Sequence, residues 1–355
     1  MFSFLGYSGY LFGIYVRFLF RKEKDLPYNH EPLSIIIAAR NEADNLQKFL
    51  PAVLQQERDR FEVIVVNDGS VDSTREVLNR FVEDFPSLRV IHSDKPLGKK
   101  RALTAGIREA RYDLLLFTDA DCVPASRRWA AGMASHFTDG IEIVLGYGAY
   151  KTAPGLLNRI VQTDTALIAA RYAGFTLWKK PLMGVGRNLA YRKSLWEKHS
   201  GFSADEDIPY GDDDLFIMRA ANADNTALCF HPAAYTYSVP PQTWRAWFNQ
   251  KIRHLKAGVR YPKSNLFLLS AEPVFEGLFW LSGLMMLPAG GGIWFLFFLS
   301  FYWVYKTLIL RNIYNTLNIK TGKLFITPVS IILLFALFFI GINATFAKSV
   351  SWKEK

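Results

Sequence analysis

The chain has 355 residues, half of them apolar and 15% aromatic, with a net charge of +10 and two cysteines. Two thiols, Cys122 and Cys229, exclude a disulfide-stapled scaffold, and the length allows one large domain or two small ones. The positive balance suits anionic lipids or phosphates; no nucleic-acid motif accompanies it, so no nucleic acid partner is expected.

Residues 1–20, MFSFLGYSGYLFGIYVRFLF, carry one charge, Arg17, and are followed by RKEK. About 20 apolar residues cross a bilayer core. With no basic leading region and no small-residue cleavage site, this segment is expected to be an uncleaved transmembrane anchor.

From residue 31 to 235 the pattern changes to that of an α/β domain. LSIIIAA (Leu33–Ala39) is a nearly unbroken β-type run, as a strand buried on both faces requires. A helix is expected from about Asn41. FEVIVVNDGS reads as a second strand, SVDSTREVLNRFVEDF as a helix with its N-terminal signals. LRVIHSD is a third strand, GKKRALTAGIREA a Gly-Lys turn and helix, and YDLLLFTDAD a fourth strand. This β-α-β-α-β-α-β order predicts a parallel, doubly wound sheet.

In such sheets ligands sit beyond the carboxyl ends of the strands. That rim is expected to gather Ala39, Arg40 and Asn41 after the first strand and Asp68, Gly69 and Ser70 after the second. Gly98, Lys99 and Lys100 follow the third, Asp119 and Asp121 the fourth. Acids, bases and glycines converging there suit a nucleotide diphosphate. Asp119 and Asp121 form a D-x-D pair able to hold Mg²⁺ or Mn²⁺ through oxygens shared with substrate phosphates. Asp68 is placed to accept from a base N–H or ribose hydroxyl, and Lys99, opening a helix, to meet phosphate. Cys122 is read as a buried filler.

Three later segments add to the site. In GVGRNLAYRKSLW, Gly184 and Gly186 allow close approach, and Asn188 is available to a sugar or to backbone; this stretch is placed under the acceptor. YGDDDLF crowds Asp212, Asp213 and Asp214, and like-charge repulsion raises at least one of their pKa values. A helix starting near Asp213 is expected to turn Leu215, Phe216 and Met218 inward and Asp214 to water. Residues 240–262 interleave Trp244, Trp247, Phe248, Ile252, Leu255 and Val259 with Arg245, Lys251, Arg253, Lys256 and Arg260. That is an amphipathic helix for the membrane interface, with Trp244 and Trp247 toward lipid and Arg253 toward the site.

Residues 273–347 are expected to hold three transmembrane helices. The uncharged stretch 277–305 is broken by PAGGG (Pro288–Gly292), and a further span covers about 324–347. RNIYNTLNIKTGK between them is basic without acids. By the positive-inside rule this loop and the middle domain are cytoplasmic, making the chain a multi-pass protein of the plasma (inner) membrane. The tail KSVSWKEK would lie outside and runs against the rule.

IIIAARNE, VVNDGSVDST, GKKRALTAG and FTDADCVP, in this order and spacing, resemble the family-2 inverting glycosyltransferases of the GT-A nucleotide-sugar fold. The likeness continues through GVGRNLAYRKSLW, YGDDDLFIMRA and WFNQKIRH and covers about residues 33–260, with apolar segments on both sides as in the membrane-bound branch. It implies that Asp68 contacts the nucleotide base and that Asp121 ligates the metal with support from Asp119. It implies that Asp213 is the catalytic base beside Asp212, and that Gln250 and Arg253 stand at the family's Q-x-x-R-W box. His254 replaces that tryptophan, a departure at the acceptor contact.

The expected function is transfer of a sugar from a nucleotide-diphosphate sugar to a lipid or glycan hydroxyl, by metal-assisted single displacement. A processive polysaccharide synthase of the same family is the alternative. A nucleotidyltransferase would need a Gly-rich loop after the first strand, which AARNEAD lacks. A transporter or receptor leaves the carboxylates without a role.

Overall fold

The computed structural model describes residues 2–21, 26–288, 290–320 and 326–346. It opens with α1 (Phe2–Leu19), then alternates β1 (Leu33–Ala39), α2 (Ala43–Leu54), β2 (Phe61–Asp68), α3 (Thr74–Asp84), β3 (Leu88–Ser93), α4 (Lys99–Glu109) and β4 (Leu114–Phe117). Next come β5 (Cys122–Pro124), α5 (Trp129–Ala134), β6 (Ile143–Gly146), β7 (Gly148–Tyr150) and the long α6 (Leu156–Leu177). β8 (Leu189–Arg192), α7 (Lys193–Lys198), α8 (Asp214–Ala220), β9 (Thr226–Cys229) and β10 (Thr236–Ser238) follow. The last described elements are α9 (Trp244–Ala257), α10 (Lys263–Met286), α11 (Gly292–Thr316) and α12 (Ile326–Phe346).

These elements form two units. One takes the chain up to Lys151 after α1, together with Lys179–Pro240; the other takes α1, Thr152–Trp178 and the chain from Pro241 onward.

The α/β unit is built on a seven-stranded sheet in the order β3-β2-β1-β4-β8-β6-β9. β1 is buried at every position and pairs in parallel with β2 on one side and β4 on the other. A strand with neighbours on both edges and helices on both faces has no solvent side, which is why LSIIIAA lacks alternation. The chain leaves β1 toward β2 and β3 and returns to its other edge as β4, so a switch point lies between β1 and β4. Register aligns the strand ends there: Ala39 opposite Asn67, and Asp68 opposite Ser93. β8 is antiparallel to β4 and β6, which makes the sheet mostly parallel. A second sheet, β5-β10-β7, is made of three-residue strands.

In the helical unit α1 buries Tyr7, Leu11, Ile14, Tyr15 and Phe18 and exposes Leu5 and Phe12. α10 and α11 are separate helices: Gly290 has φ +75°, and Gly291 N–H closes on the Met286 carbonyl at 2.9 Å. Among the described residues, two helices are long and apolar enough to cross a membrane, α11 and residues 326–344 of α12. α1 is not one of them, and neither is α10, which carries Glu272 and Glu276. Those acids turn inward. Glu272 accepts from Arg171 Nη2 at 2.8 Å and Tyr15 Oη at 2.5 Å; Glu276 meets Lys306 and accepts from Tyr302 Oη at 2.5 Å.

α9 corrects one expectation. Trp247 is 1% exposed and so does not meet lipid. Lys251, one turn later, is buried against Asp164 of α6, and the Phe248 ring lies 5.8 Å from that of Phe339 in α12. The face bearing Trp247, Lys251 and Ile252 is therefore a packing face, and Trp244, Leu255 and Val259 form the exposed one. The RKEK residues after Arg21, Ala289, the loop 321–325 with Lys323, and the KSVSWKEK tail lie outside the described residues.

Candidate active site

The carboxyl ends of β1, β2 and β4 carry the polar residues the sequence placed there, and the structure ties them to one another. Asn41, at φ +54°, donates its backbone N–H to Ser70 Oγ at 2.9 Å and through Oδ1 accepts from Val71 N–H at 2.9 Å, which joins the first loop to the second. Ala39 is fully buried in β1. Asp68 is fully buried too. Its two oxygens accept from the Leu97 and Gly98 amides at 2.5 and 3.0 Å. Its role in the structure is to fold the turn that launches α4. Gly69 (φ +59°) allows this turn to lie close, since a Cβ there would come 2.5 Å from the Pro96 nitrogen.

α4 begins with Lys99, whose ammonium bridges Asp119 Oδ1 at 3.2 Å and Asp212 Oδ2 at 3.1 Å. Burial works against the ammonium, but Asp119, Asp212 and Asp213 outweigh it and hold the Lys99 pKa well above its ordinary value. Lys99, Phe117, Thr118, Asp119, Gly186, Tyr191, Asp212 and Asp213 line one narrow cleft. Strand-end and helix-start residues far apart in the chain thus share a single electrostatic field.

Asp213 is the N-cap of α8, accepting from the Asp214 amide at 2.8 Å through Oδ1, while Oδ2 accepts from Gly186 N–H at 2.8 Å. A Cβ at Gly186 would meet Asp213 Oδ2 at 3.4 Å, so the two segments lie in van der Waals contact around this hydrogen bond. Burial, and then the charge of Asp212, raise the Asp213 pKa, with Lys99 and the two amides opposing. A carboxylate with raised pKa, lining a cleft, is suited to take a proton. Asp214 is buried rather than facing water, and its Oδ1 accepts from Leu215 N–H at 2.8 Å.

The oxygens of Asp119 and Asp121 and the Cys122 sulfur lie within 4.8 Å of one another. Both carboxylates are half-buried. Asp121 is pushed up to about 6 by burial and by the Asp119 charge. Cys122 is buried against Ser238 Oγ at 2.9 Å, and burial with its acidic neighbours drives its thiol pKa well upward. It stays protonated and offers no thiolate. What remains is a pair of adjacent carboxylates, a donor set that fits a hard divalent cation such as Mg²⁺ or Mn²⁺.

Asn188, left between a sugar and backbone by the sequence, is bonded to backbone. Its side chain is fully buried; Nδ2 donates to the Tyr147 and Ala234 carbonyls at 3.0 and 2.8 Å, and Oδ1 accepts from Trp129 Nε1 at 2.9 Å. It bonds backbone and indole instead of an acceptor, and its job is to pin β8 to its neighbours. Gln250, Arg253 and His254 lie on α9, in the helical unit. The reading of the sequence missed Arg187, between Gly186 and Asn188. Its guanidinium lies 4.1 Å over the Tyr150 ring and donates to Ser238 Oγ at 3.4 Å. The only sequence signal was an arginine inside the GVGRN motif.

The chain is 28% identical over 337 residues to the probable glycosyltransferase YdaM of Bacillus subtilis, covering 91% of this chain and 74% of that one. It is 24% identical over 308 residues to the poly-β-1,6-N-acetyl-D-glucosamine synthase of Staphylococcus epidermidis, covering 77% and 72%. The fold is shared with a mannosyltransferase of Pyrobaculum calidifontis solved with GDP-Man and Mn²⁺, at 18% identity and TM-score 0.61, covering 96% of each chain. Residues 34–199 match glycosyl transferase family 2, and the chain thus carries a family-2 glycosyltransferase domain in a mostly parallel, GT-A-like α/β fold.

Proposed function

We propose that this glycosyltransferase moves a sugar from a nucleotide-diphosphate donor to a hydroxyl of a lipid or glycan with inversion at the anomeric carbon. The observation that carries the proposal is Asp213, a cleft carboxylate with raised pKa fixed by Gly186 N–H, on the same cleft as Lys99 and Asp119. In a single displacement the acceptor oxygen attacks the anomeric carbon and Asp213 takes its proton. The carbon–oxygen bond to the diphosphate breaks, and the nucleoside diphosphate leaves with the electron pair. One base suffices.

Asp121 and Asp119 would hold a divalent cation, which when bound supplies charge for the leaving diphosphate. Lys99 and the amides at the α4 start favour the same anion. Gln250 and Arg253 of α9 are assigned to the leaving group and His254 to the acceptor, following the family's box. Membrane attachment is supported by α11 and α12. It is supported also by the inward pairing of Glu272 and Glu276, which leaves α10 with an apolar outer face. α10, α11 and α12 then act as three spans with the α/β unit cytoplasmic, and α1 as an N-terminal anchor.

The test is a panel of nucleotide sugars with purified protein, scored for nucleoside diphosphate release with and without membrane lipid extract, in Mn²⁺, Mg²⁺ or chelator. Release from no donor sinks the proposal; full release in chelator sinks the metal assignment. Polymer synthesis is the second reading, favoured by the likeness to the N-acetylglucosamine polymer synthase. Product length in the same assay separates it from transfer of one sugar.

A further inference from the structure

Arg187 is held more firmly than a solvent-facing arginine requires. Its carbonyl accepts from Thr118 Oγ1 at 3.1 Å and Thr236 Oγ1 at 2.9 Å. The residue before it binds Asp213, and the residue after it, Asn188, is clamped by three internal hydrogen bonds. The side chain is equally fixed. The small sheet puts Ser238 opposite Tyr150 on one side and opposite Cys122 on the other. The guanidinium stacks on the first of these neighbours and bonds Ser238.

This cradle leads directly to the D-x-D pair. Arg187 Nη1 is 3.4 Å from Ser238 Oγ, which is 2.9 Å from Cys122 Sγ, which is 3.5 Å from Asp121 Oδ1. Among the described residues no carboxylate closes on Arg187 at ion-pair distance, although the side chain is half-buried. Burial works against its charge, but with Tyr150 and Cys122 the carboxylates of Asp119 and Asp121 stand near enough to raise its pKa, which sets the guanidinium beside the carboxylates where a metal-bound diphosphate would lie. A half-buried guanidinium held by a ring and a hydroxyl keeps donors and charge available for an anion. Its peptide neighbour binds the base and its side chain borders the metal-binding carboxylates.

We infer that Arg187 is a catalytic residue that binds the outer phosphate of the nucleoside diphosphate, the one bonded to the sugar, and stabilises it as it leaves. The inference rests on the donor site proposed above. An arginine suits the task because its planar fork can bind two phosphate oxygens at once. Tyr150 and Ser238 pre-set the orientation of that fork, so little side-chain entropy is lost on binding.

Titration calorimetry in Mn²⁺ tests it, with UDP and GDP as probes, each compared with its monophosphate, on wild type, R187K and R187M. R187M should weaken the diphosphate by about 10- to 100-fold, the worth of a charge-assisted hydrogen bond, and leave the monophosphate within about twofold. R187K should recover part of the loss, because it restores charge without the fork. Unchanged diphosphate affinity in R187M overturns the inference, and so does an equal loss for both nucleotides, which would make Arg187 a support for the fold. If R187M fails to fold, judged by circular dichroism, R187K and R187Q carry the same comparison under the same criteria. If wild type binds neither nucleotide, the donor-site proposal itself falls and takes this inference with it; wild-type binding with an indifferent Arg187 sinks the inference alone.

Discussion

Both units bury charge, but with different balance. In and beside the cleft of the α/β unit, Asp119, Asp212 and Asp213 line it with Lys99, and Asp121 and Arg187 stand next to Asp119, so carboxylates outnumber cations. In the helical unit the described acids each have their own cation: Asp164 has Lys251, Glu272 has Arg171 and Glu276 has Lys306, with Tyr15 and Tyr302 completing the two glutamates. The first arrangement raises the pKa of Asp121 and Asp213 and leaves a site that a cation or a proton would stabilise. The second is closed. An unbalanced cluster is suited to chemistry, and a balanced one holds helices in register.

The largest expected effect comes from removing the base. Asp213→Asn should lower kcat by about 10²–10⁴-fold while donor nucleotide affinity stays near wild type, measured by turnover beside calorimetry. Breaking a closed pair should behave oppositely. Glu276→Gln leaves Lys306 buried without its partner and should cost about 3–5 kcal/mol of stability, read as a lower unfolding midpoint in detergent. Turnover per folded molecule should be unchanged, and the double variant E276Q/K306M should return most of the stability. A dead E276Q with normal stability would move that pair into the chemistry and end the comparison.

The two regions also differ in how far the sequence revealed them. The rim was legible because β1 and β2, long and buried, and β4, short but buried, announce themselves by apolar runs, and whatever follows them must lie at a carboxyl end. Lys99 follows the half-buried β3 and was read instead from its Gly-Lys turn. Arg187 was hidden because its setting is three strands of three residues, contributed from Cys122, Gly148 and Thr236 onward. Segments so short carry no periodicity. Asn188 was left open for a related reason. An asparagine beside glycines is equally a ligand or a backbone clamp, and only the approach of Trp129, Tyr147 and Ala234 decides between them. Trp247 looked lipid-facing because a tryptophan–lysine alternation fits both an interface and a helix packed through Lys251–Asp164. In the helical unit composition located α1, α9, α11 and α12 but not α6, and Glu272 and Glu276 lowered the apparent hydropathy of α10, since their partners lie far away in sequence.

A moderate effect should appear in the pH profile. Asp213 must be ionised to accept a proton, and its pKa is raised, so kcat should fall on the acid side at a pH above the ordinary carboxylate range. The neighbours then act with opposite signs. Lys99→Met removes a charge that lowers the Asp213 pKa and should move the acid limb to higher pH. Asp212→Asn removes one that raises it and should move the limb lower. Limbs that shift in the same direction in both variants would mean that the limb reports another group.

The smallest effect is expected at Asp214, and it decides the register of the acidic run. Three consecutive carboxylates invite the assumption that any one of them can serve. The structure separates them. Asp212 is tied to Lys99 and Asp213 to Gly186 N–H, both on the cleft, whereas Asp214 is the first residue of α8 and turns its Oδ1 onto the Leu215 amide. Asparagine can accept that bond as well, so Asp214→Asn keeps the cap and gives up the carboxylate's favourable interactions with the helix dipole and with the nearby Lys100 ammonium. That is about 0.3–1 kcal/mol of stability, with kcat within about twofold of wild type, since no proton-transfer group is lost. Turnover of the three single asparagine variants, each beside its thermal midpoint, is the measurement. A dead Asp214→Asn with an active Asp213→Asn would shift the base by one residue. It would also require α8 to begin a residue later than Asp214, so that the capping and catalytic positions exchange.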